Sequence, residues 1–540
     1  MIRTMRRLTA VLSAVLAIAM PSGQVPARQT PPLQAGVDLE ETTIAELQRR
    51  MDSGQDTARS LVEKYLARID TIDRQGPALG SVIETNPDAL AIADRLDAER
   101  KAQGPRGVLH GIPVLIKDNI ATADRMMTTA GSLALAGFTP PKDAFIVERL
   151  REAGAVILGK TNLSEWANFR STHPSSGWSG RGGQTKNPYA LDRSPSGSSS
   201  GSGAAAAASL CAVAVGTETD GSIVSPSSNN SLVGIKPTVG LLSRSGIVPV
   251  AHSQDTAGPM ARTVADAVAL LGAMVGVDGG DPATRDSVRH RGRDYSALLD
   301  ASGLRGARIG VVRNKLFGSS PAADRLAEAA IADMRKQGAV IVDPANIPTL
   351  GTFDESELDV LLYEFKADLN KYLLWLGPAA PVHSLKEVMA FNDAHAPQEL
   401  PYFAQEIMAM AEEKGPLDNA DYKAALDKNR RMTRTLGIDA VMTKHKLDAL
   451  VAPTGGPAWL IDLVNGDGGT ATSASLSSVA AVAGYPHVTV PMGYFRGLPL
   501  GISFIGRAWS EPTLIKIAYA YEQATKHRHP PTFAPTADLR

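Results

Sequence analysis

Short apolar runs separated by stretches of helical periodicity constrain the fold of this chain more than any other feature. The runs lie at Val114–Ile116, Ala155–Leu158, Ala212–Val215, Ala449–Ala452 and His487–Val490. The first four contain no polar residue, unlike a strand with one solvated face, so each of these is predicted to be a strand buried on both faces. Because such strands alternate with helices in α/β proteins, we predict an α/β fold with a largely buried sheet.

The composition is that of a large globular chain without unusual charge. The 540 residues include 55 basic and 56 acidic side chains, which gives a formal net charge of −1. We therefore expect neither nucleic acid nor a membrane surface as a partner. A hydrophobic fraction of 44% excludes a disordered chain. The single cysteine, Cys211, excludes an intramolecular disulfide and a thiolate zinc cluster.

The chain begins with a pattern typical of a secretory signal peptide. Three arginines precede an apolar run over residues 8–20, and small residues follow up to Ala27. This run is too short to cross a bilayer, and no later run approaches ~20 residues. We predict a signal peptide over 1–27, no membrane span in the mature chain, and export to the periplasm. The adjacent arginines leave the Sec and Tat routes both open.

The remaining residues, 28–540, are predicted to form one domain. Glycine and proline are dispersed, and neither an internal repeat nor a long linker is present in the sequence. From about 322 to 434 the pattern is mostly helical and charged, which indicates a helical insertion between the apolar runs. A last helix is predicted over Pro512–Ala524.

Two short motifs match well-known patterns but not the local structure that those patterns need. Gly154–Thr161 has the letters of a P-loop, yet its variable positions are apolar and predict a strand rather than a phosphate-binding loop. Gly197–Gly201 has the letters of a nucleophile elbow, yet a turn precedes it instead of a strand. A Ser-His-Asp esterase acting through Ser199 is kept as an alternative. Cys211 is better explained as a small buried residue than as a nucleophile.

Two other segments offer groups suited to nucleophilic catalysis. Lys117 directly follows the run Val114–Ile116. Such a lysine often reaches solvent, but if it stays buried, desolvation lowers its pKa and provides a neutral amine as a base. Ser194–Gly203 is rich in serine and glycine and leads directly into the alanines of 204–208. A flexible linker is its ordinary explanation, but its position beside a helix favours close backbone approach with hydroxyls available.

A third segment, Gly216–Ser222, directly follows the run Ala212–Val215. It can be a turn whose polar side chains only satisfy the backbone. It can also place the Ser222 hydroxyl at the end of a strand, where successive backbone N–H groups converge on one oxyanion. The N–H groups of this candidate oxyanion hole are those of Thr219, Asp220, Gly221 and Ser222.

Together these segments resemble the amidase signature family of serine hydrolases. The similarity extends from about residue 40 to 525 and includes Val233–Gly240 and Asp255–Met260. The resemblance implies a single large domain with a mixed central sheet covered by helices on both faces. It implies hydrolysis of an amide without a metal or an organic cofactor.

The resemblance also implies a Ser-Ser-Lys triad. Ser222 would be the nucleophile, Ser198 would pass its proton on, and Lys117 would begin neutral as the base. In the family the bridging serine follows a cis peptide bond, which here would be Gly197–Ser198.

The expected partner is a small-molecule or peptide amide. Glu165–Phe169 and Gly216–Ser222 are most similar to family members that act on peptide amides, which implies release of ammonia from C-terminal carboxamides. Aryl or aliphatic amides and carbamates remain alternatives, as does a non-catalytic periplasmic binding protein. Glu218, Asp220 and Val224 replace the family's usual Asp, Gly and Arg, so distant relatives do not define the substrate preference.

Overall fold

One mixed β-sheet of eleven strands organises the protein. The computed structural model describes residues 37–290, 294–467 and 475–539, and the expected signal peptide lies outside these ranges. The mixed sheet and its flanking helices confirm the predicted α/β fold.

The strands and helices follow one another along the whole described chain. The strands are β1 (Val82–Thr85), β2 (Pro113–Lys117), β3 (Val156–Thr161), β4 (Trp178–Ser179), β5 (Gly183–Gln184), β6 (Val213–Glu218), β7 (Val233–Lys236), β8 (Thr256–Ala261), β9 (Arg308–Val311), β10 (Val340–Val342), β11 (Ala449–Pro453), β12 (His487–Phe495) and β13 (Leu498–Ile505). The α-helices are α1 (Ile44–Asp52), α2 (Ala58–Arg68), α3 (Ala89–Gln103), α4 (Phe145–Glu152), α5 (Ser200–Ala207), α6 (Val224–Asn229), α7 (Val264–Met274), α8 (Pro321–Lys336), α9 (Asp354–Trp375), α10 (Leu385–Ala394), α11 (Ala396–Glu399), α12 (Glu406–Glu412), α13 (Ala420–Arg430), α14 (Asp439–His445), α15 (Ser477–Ala483) and α16 (Glu511–Thr525). Short 3-10 helices lie at Val37–Leu39, Leu133–Leu135, Glu165–Asn168, Pro282–Arg289 and Tyr295–Leu298, and π-helical turns at Ile69–Arg74 and Arg431–Ile438.

The strand order places the ends of β2 and β6 beside each other. The order is β1-β3-β2-β6-β8-β7-β12-β13-β11-β9-β10, and β4 pairs only with β5. β2 is parallel to both β3 and β6, so the carboxyl ends of these three strands lie at one edge of the sheet. Every residue of β2, β3 and β6 is buried, as expected for strands covered on both faces.

The apolar runs of the sequence form strands of this sheet, and the P-loop match is one of them. Gly154–Thr161 contains β3, and its lysine, Lys160, is buried. The Lys160 ammonium donates to the carbonyl oxygen of Ile120 at 2.7 Å and to Thr128 Oγ1 at 2.6 Å. The segment is therefore part of the core and not a loop that binds phosphate.

The predicted helical insertion contains the six helices α8–α13 and one strand. β10 pairs with β9 in parallel at the edge of the sheet. Sequence analysis missed this strand because it has three residues and is partly exposed. Within the described ranges, no helix combines the length and the apolar character needed to cross a membrane.

The glycine at the second position of α5 generates a test of the packing beside the site. A Cβ at Gly201 would overlap the carbonyl oxygen of Ser81 and lie 2.5 Å from that of Asn162. We expect Gly201→Ala to lower stability by about 1–3 kcal/mol because backbone atoms cannot move aside easily. The control is Gly272→Ala in α7, where the new methyl would lie 3.6 Å from the Tyr295 ring. It should be neutral or stabilising by ~0.5–1 kcal/mol.

Thermal unfolding of the two variants measures the difference. Equal Tm values for Gly201→Ala and the wild-type protein would contradict the close packing of α5.

Candidate active site

Lys117 lies at the carboxyl end of β2 and is completely buried. Its Nζ donates to Ser198 Oγ at 2.7 Å, to Thr217 Oγ1 at 2.9 Å and to the Thr217 carbonyl oxygen at 3.3 Å. Burial lowers the pKa of Lys117 to about 7, although the negative charges of Asp255 and Glu218 oppose this shift. A neutral amine is therefore accessible near neutral pH, in contact with a serine hydroxyl.

Ser198 lies two residues before α5, and the Gly197–Ser198 peptide bond is cis. Its side chain is fully buried, and its carbonyl oxygen accepts a hydrogen bond from the Ser164 N–H at 3.1 Å. A side chain at Gly197 would overlap the Ser164 hydroxyl. The glycine thus allows the chain to approach Ser164 closely enough for Ser198 to reach Lys117.

Ser222 lies in the turn between β6 and α6, at the same edge of the sheet as Lys117. It keeps 8% of its surface exposed, whereas Lys117 and Ser198 are fully enclosed. Its carbonyl oxygen accepts the Ser199 N–H at 3.2 Å, which ties the two serine segments together. No hydrogen bond joins the hydroxyls of Ser198 and Ser222 in the structure. The geometry therefore brings Lys117 and Ser198 into direct contact, and Ser222 next to them through the backbone.

The turn before Ser222 offers unused hydrogen-bond donors. Within the described ranges, no acceptor takes up the backbone N–H groups of Thr219, Asp220, Gly221 and Ser222. The Glu218 carboxylate instead accepts the next two, from Ile223 at 2.7 Å and Val224 at 3.0 Å. Gly221 and Ser222 are buried, and Thr219 and Asp220 are half-buried. Buried N–H groups without an acceptor are rare in proteins, so this turn favours an anion.

Thr217 is a part of the site that sequence analysis did not identify. Its hydroxyl accepts from Lys117 Nζ and from Asn119 Nδ2, the latter at 3.0 Å. The parallel register pairs Ile116 with Val215, so the ends of β2 and β6 meet. The sequence places Thr217 after a predicted strand but carries no signal that this strand end meets the end of β2.

Ser199 does not have the surroundings of a nucleophile. It is fully buried, its hydroxyl donates to the Thr217 carbonyl oxygen at 3.0 Å, and it accepts the Thr217 N–H at 3.2 Å. Among the described residues, no histidine forms a hydrogen bond with it. A base for the Ser-His-Asp alternative is thus missing, and the Ser199 hydroxyl instead fixes Thr217.

A cavity of about 1040 Å³ opens beside this site. Thr217, Thr219 and Asp255 line it, whereas the side chains of Ser198 and Ser222 do not. The Thr219 hydroxyl donates to the Asp255 carboxylate at 2.6 Å. Burial raises the pKa of Asp255 to about 6. The cavity therefore touches the residues around Lys117 and the turn that leads to the nucleophile candidate.

One group of side chains near the cavity has the composition of a metal site. Ligand atoms of His252, Glu364 and Asp368 lie within 4.8 Å of one another. They already bond to protein partners, since His252 Nδ1 lies 2.8 Å from Asp368 and Glu364 accepts from the Tyr422 hydroxyl at 2.8 Å and the Ser253 N–H at 2.9 Å. We interpret this group as a hydrogen-bonded network.

Comparison with known proteins identifies the family. A family model described as Amidase matches residues 60–515. The chain belongs to the amidase family. This amidase is 44% identical to a probable amidase of Arabidopsis thaliana over 93% of each chain. It is 53% identical to the native peptide amidase of Stenotrophomonas maltophilia, whose crystal structure superposes with a TM-score of 0.87 over 92% of this chain and 99% of that chain.

A second solved structure supports the same assignment at a greater distance. An amidase family protein from Bacillus anthracis is 37% identical, with a TM-score of 0.83, over 92% of this chain and 93% of that one. The family resemblance drawn from the sequence is confirmed. The protein is an amide-hydrolysing enzyme with a mixed α/β fold.

The buried lysine predicts a pH-dependent stability. Between the ordinary lysine pKa of 10.5 and about 7, the unfolded chain holds a proton on Lys117 that the folded chain has released. The destabilisation caused by Lys117 therefore grows as pH falls through this range and disappears as pH rises. We expect the Tm of Lys117→Met, relative to the wild-type protein, to be highest near pH 7 and to fall toward pH 10. Melting curves across this range measure it.

The matched control is Lys101→Met, which changes an exposed lysine of α3. The Tm difference between Lys101→Met and the wild-type protein should not fall between pH 7 and pH 10. A Lys117→Met difference that stays constant with pH would contradict a depressed lysine pKa in the folded protein.

Proposed function

We propose that this amidase hydrolyses C-terminal carboxamides of peptides to the free acid and ammonia through Ser222, Ser198 and Lys117. The observation that carries the proposal is the 2.7 Å hydrogen bond between Lys117 Nζ and Ser198 Oγ, made by a buried lysine beside the turn of Ser222. An amide needs an activated nucleophile, stabilisation of the oxyanion and a proton for the amine that leaves. Ser222 supplies the nucleophile, the free N–H donors of the turn stabilise the oxyanion, and Lys117 provides the proton through Ser198.

The hydrogen bonds around Lys117 fit both of its protonation states. As an ammonium it has three N–H donors, which match Ser198 Oγ and the two oxygens of Thr217. As a neutral amine it donates to the two Thr217 oxygens, and its lone pair accepts the Ser198 proton. The lysine can thus gain or lose a proton without leaving an acceptor unpaired.

The acylation step follows from this arrangement. Ser222 Oγ attacks the carbonyl carbon, its proton moves to Ser198 Oγ, and the Ser198 proton moves to Lys117 Nζ. The carbonyl π electrons become the lone pair of an oxyanion, which the N–H groups of the turn stabilise. The C–N bond then breaks, and the proton returns through Ser198 to the departing nitrogen as ammonia forms. Water repeats the sequence on the acyl-enzyme and releases the acid.

The peptide substrate is supported by similarity and by the chemistry of the leaving group. The chain is 53% identical to a peptide amidase over nearly its full length. The triad alone does not distinguish a terminal carboxamide from an internal peptide bond, so selection must be steric. A short space on the leaving-group side admits ammonia and excludes a continuing chain.

A blocked dipeptide amide tests this selection. We expect conversion to the free acid with the internal peptide bond intact, since replacing the terminal NH2 by OH adds about one dalton. Mass spectrometry of the products and an ammonia assay measure it. Cleavage into separate amino acids, or turnover only of aryl anilides, aliphatic amides or carbamates, would assign a different substrate class.

The nucleophile is tested by two serine variants. We expect Ser222→Ala to lose at least about a thousandfold in ammonia release, because no acyl-enzyme forms. Ser199→Ala should lose much less, since it removes only the two hydrogen bonds that hold Thr217. Both variants should show the cooperative thermal unfolding of a folded protein. The reverse order of activities would favour the Ser199 alternative.

The base is tested by the pH dependence of the rate. Because Lys117 must be neutral to accept a proton, kcat/KM should fall as pH decreases through about 7. Thr217→Val removes an acceptor of the ammonium form, so the pKa of Lys117 and the acid limb should both move to lower pH. Thr217→Ser keeps the hydroxyl and should keep the wild-type limb. An acid limb of kcat/KM at the same pH in the wild type, Thr217→Val and Thr217→Ser would exclude Lys117 as the group whose titration causes it.

A further inference from the structure

Three cations without a counterion line the cavity beside the site. They are Lys371 of α9, Arg430 of α13 and Arg434 of the following π-helical turn. None of them forms an ion pair with a carboxylate in the part of the chain that the structure describes. All three belong to the helical insertion, so the insertion brings positive charge to this wall of the cavity.

Arg434 is the most firmly held of the three. It is half-buried, its Nε donates to the Ala483 carbonyl oxygen at 2.8 Å, and its guanidinium lies 5.6 Å from the centre of the Tyr485 ring. The Nη1 and Nη2 groups have no hydrogen-bond acceptor among the described residues. Burial lowers the pKa of Arg434, although an arginine remains charged at neutral pH.

The charge of Asp439 acts on Arg434, but among the described residues this carboxylate contacts Tyr485 and Arg507 instead. Asp439 accepts a hydrogen bond from the Tyr485 hydroxyl at 2.9 Å and lies 3.6 Å from Arg507 Nε. A partly desolvated guanidinium with a fixed Nε and two free N–H2 groups is the geometry that binds a carboxylate through two parallel hydrogen bonds.

The other charges of the cavity wall are mostly paired with each other. Arg244 donates to both carboxylate oxygens of Asp281, at 2.5 and 2.8 Å. His252 contacts Asp368 at 2.8 Å. Of the remaining carboxylates, Asp255 accepts from Thr219 and from two backbone N–H groups, and Asp286 is exposed. Among the described residues of this wall, the charges without an oppositely charged partner are therefore three cations and the carboxylates of Asp255 and Asp286.

The cavity also lies next to the reacting groups, although the side chains of Ser198 and Ser222 do not line it. Thr217 and Thr219 line it, the first in contact with Lys117 and the second at the start of the turn with the free N–H donors. A volume of about 1040 Å³ is large enough for an acyl chain of several residues. A substrate whose amide lies at Ser222 can thus extend its acyl part along this wall.

We propose that the cavity binds a carboxylate on the acyl part of the substrate through Arg434, so that amides with a negatively charged acyl chain are preferred. This inference rests on the proposed amide hydrolysis and names its substrate class more closely. Lys371 and Arg430 add long-range attraction, and Arg434 supplies the two-point contact.

Matched substrates test the preference. N-succinyl and N-acetyl derivatives of one dipeptide amide differ by a carboxylate far from the reacting bond, and the N-methoxysuccinyl derivative is a neutral counterpart that carries no second carboxamide. We expect kcat/KM for ammonia release to be about tenfold higher for the succinyl substrate at low salt, and the advantage to shrink as salt rises. Arg434→Gln should remove the advantage, and Arg434→Lys should keep only part of it.

Arg431→Gln is the control variant. Arg431 is the next residue along the chain after Arg430, is exposed, and does not line the cavity. It should keep the full preference while losing the same charge as Arg434→Gln. If Arg434→Gln does not fold, Arg434→Lys and the salt series of the wild-type enzyme decide the question.

The outcomes separate this inference from the proposed function. Equal kcat/KM for succinyl, methoxysuccinyl and acetyl substrates, with ammonia released from all, would overturn the carboxylate site and leave the hydrolysis intact. Release of ammonia from none of them would overturn the peptide amidase proposal. Calorimetric titration of the three derivatives into Ser222→Ala protein would then test the carboxylate site alone. The succinyl derivative should bind more tightly than the two neutral derivatives, and adding Arg434→Gln should abolish the difference.

Discussion

The burial of Lys117 at the end of β2 is the constraint on which the rest of the site depends. A lysine enclosed by strands on both sides has its pKa lowered to about 7, which suits it to the proposed role of base in a way that a surface lysine does not. The sheet provides that enclosure because β2 lies between β3 and β6 in parallel. The glycines around Ser198 then allow its hydroxyl to reach the amine. Fold and chemistry are linked through this one side chain.

Burial alone does not identify the base, because two other lysines are equally enclosed. Burial lowers the pKa of Lys160 and of Lys236 to about 8. Lys160 donates to a backbone carbonyl and to the Thr128 hydroxyl, and Lys236 donates to the Pro237 carbonyl oxygen at 3.1 Å. Within the described residues, Lys117 alone among these three contacts a serine hydroxyl at a strand end beside unused N–H donors. The partners, rather than the shift in pKa, distinguish it.

The buried strands and the candidate site residues could be predicted from the sequence, and the features that were missed share one physical reason. Short apolar runs indicated the buried strands, and the resemblance to the amidase signature family implied a neutral Lys117. The role of Thr217, the strand β10 and the exposed wall around Arg434 were missed because they depend on which elements pack together. Local patterns carry no information about such contacts. Export to the periplasm remains a prediction, since the signal segment lies outside the described residues.

Covalent labelling with a serine-directed sulfonyl fluoride distinguishes a nucleophile activated by Lys117 from the alternatives. We expect one adduct per chain, mapped by peptide mass spectrometry to Ser222, and a labelling rate that falls as pH decreases through about 7 with the protonation of Lys117. The Lys117→Met protein should fold but label far more slowly. An adduct on Ser199, or labelling of Ser222 that is independent of both pH and Lys117, would contradict a nucleophile activated through Ser198 by a buried lysine.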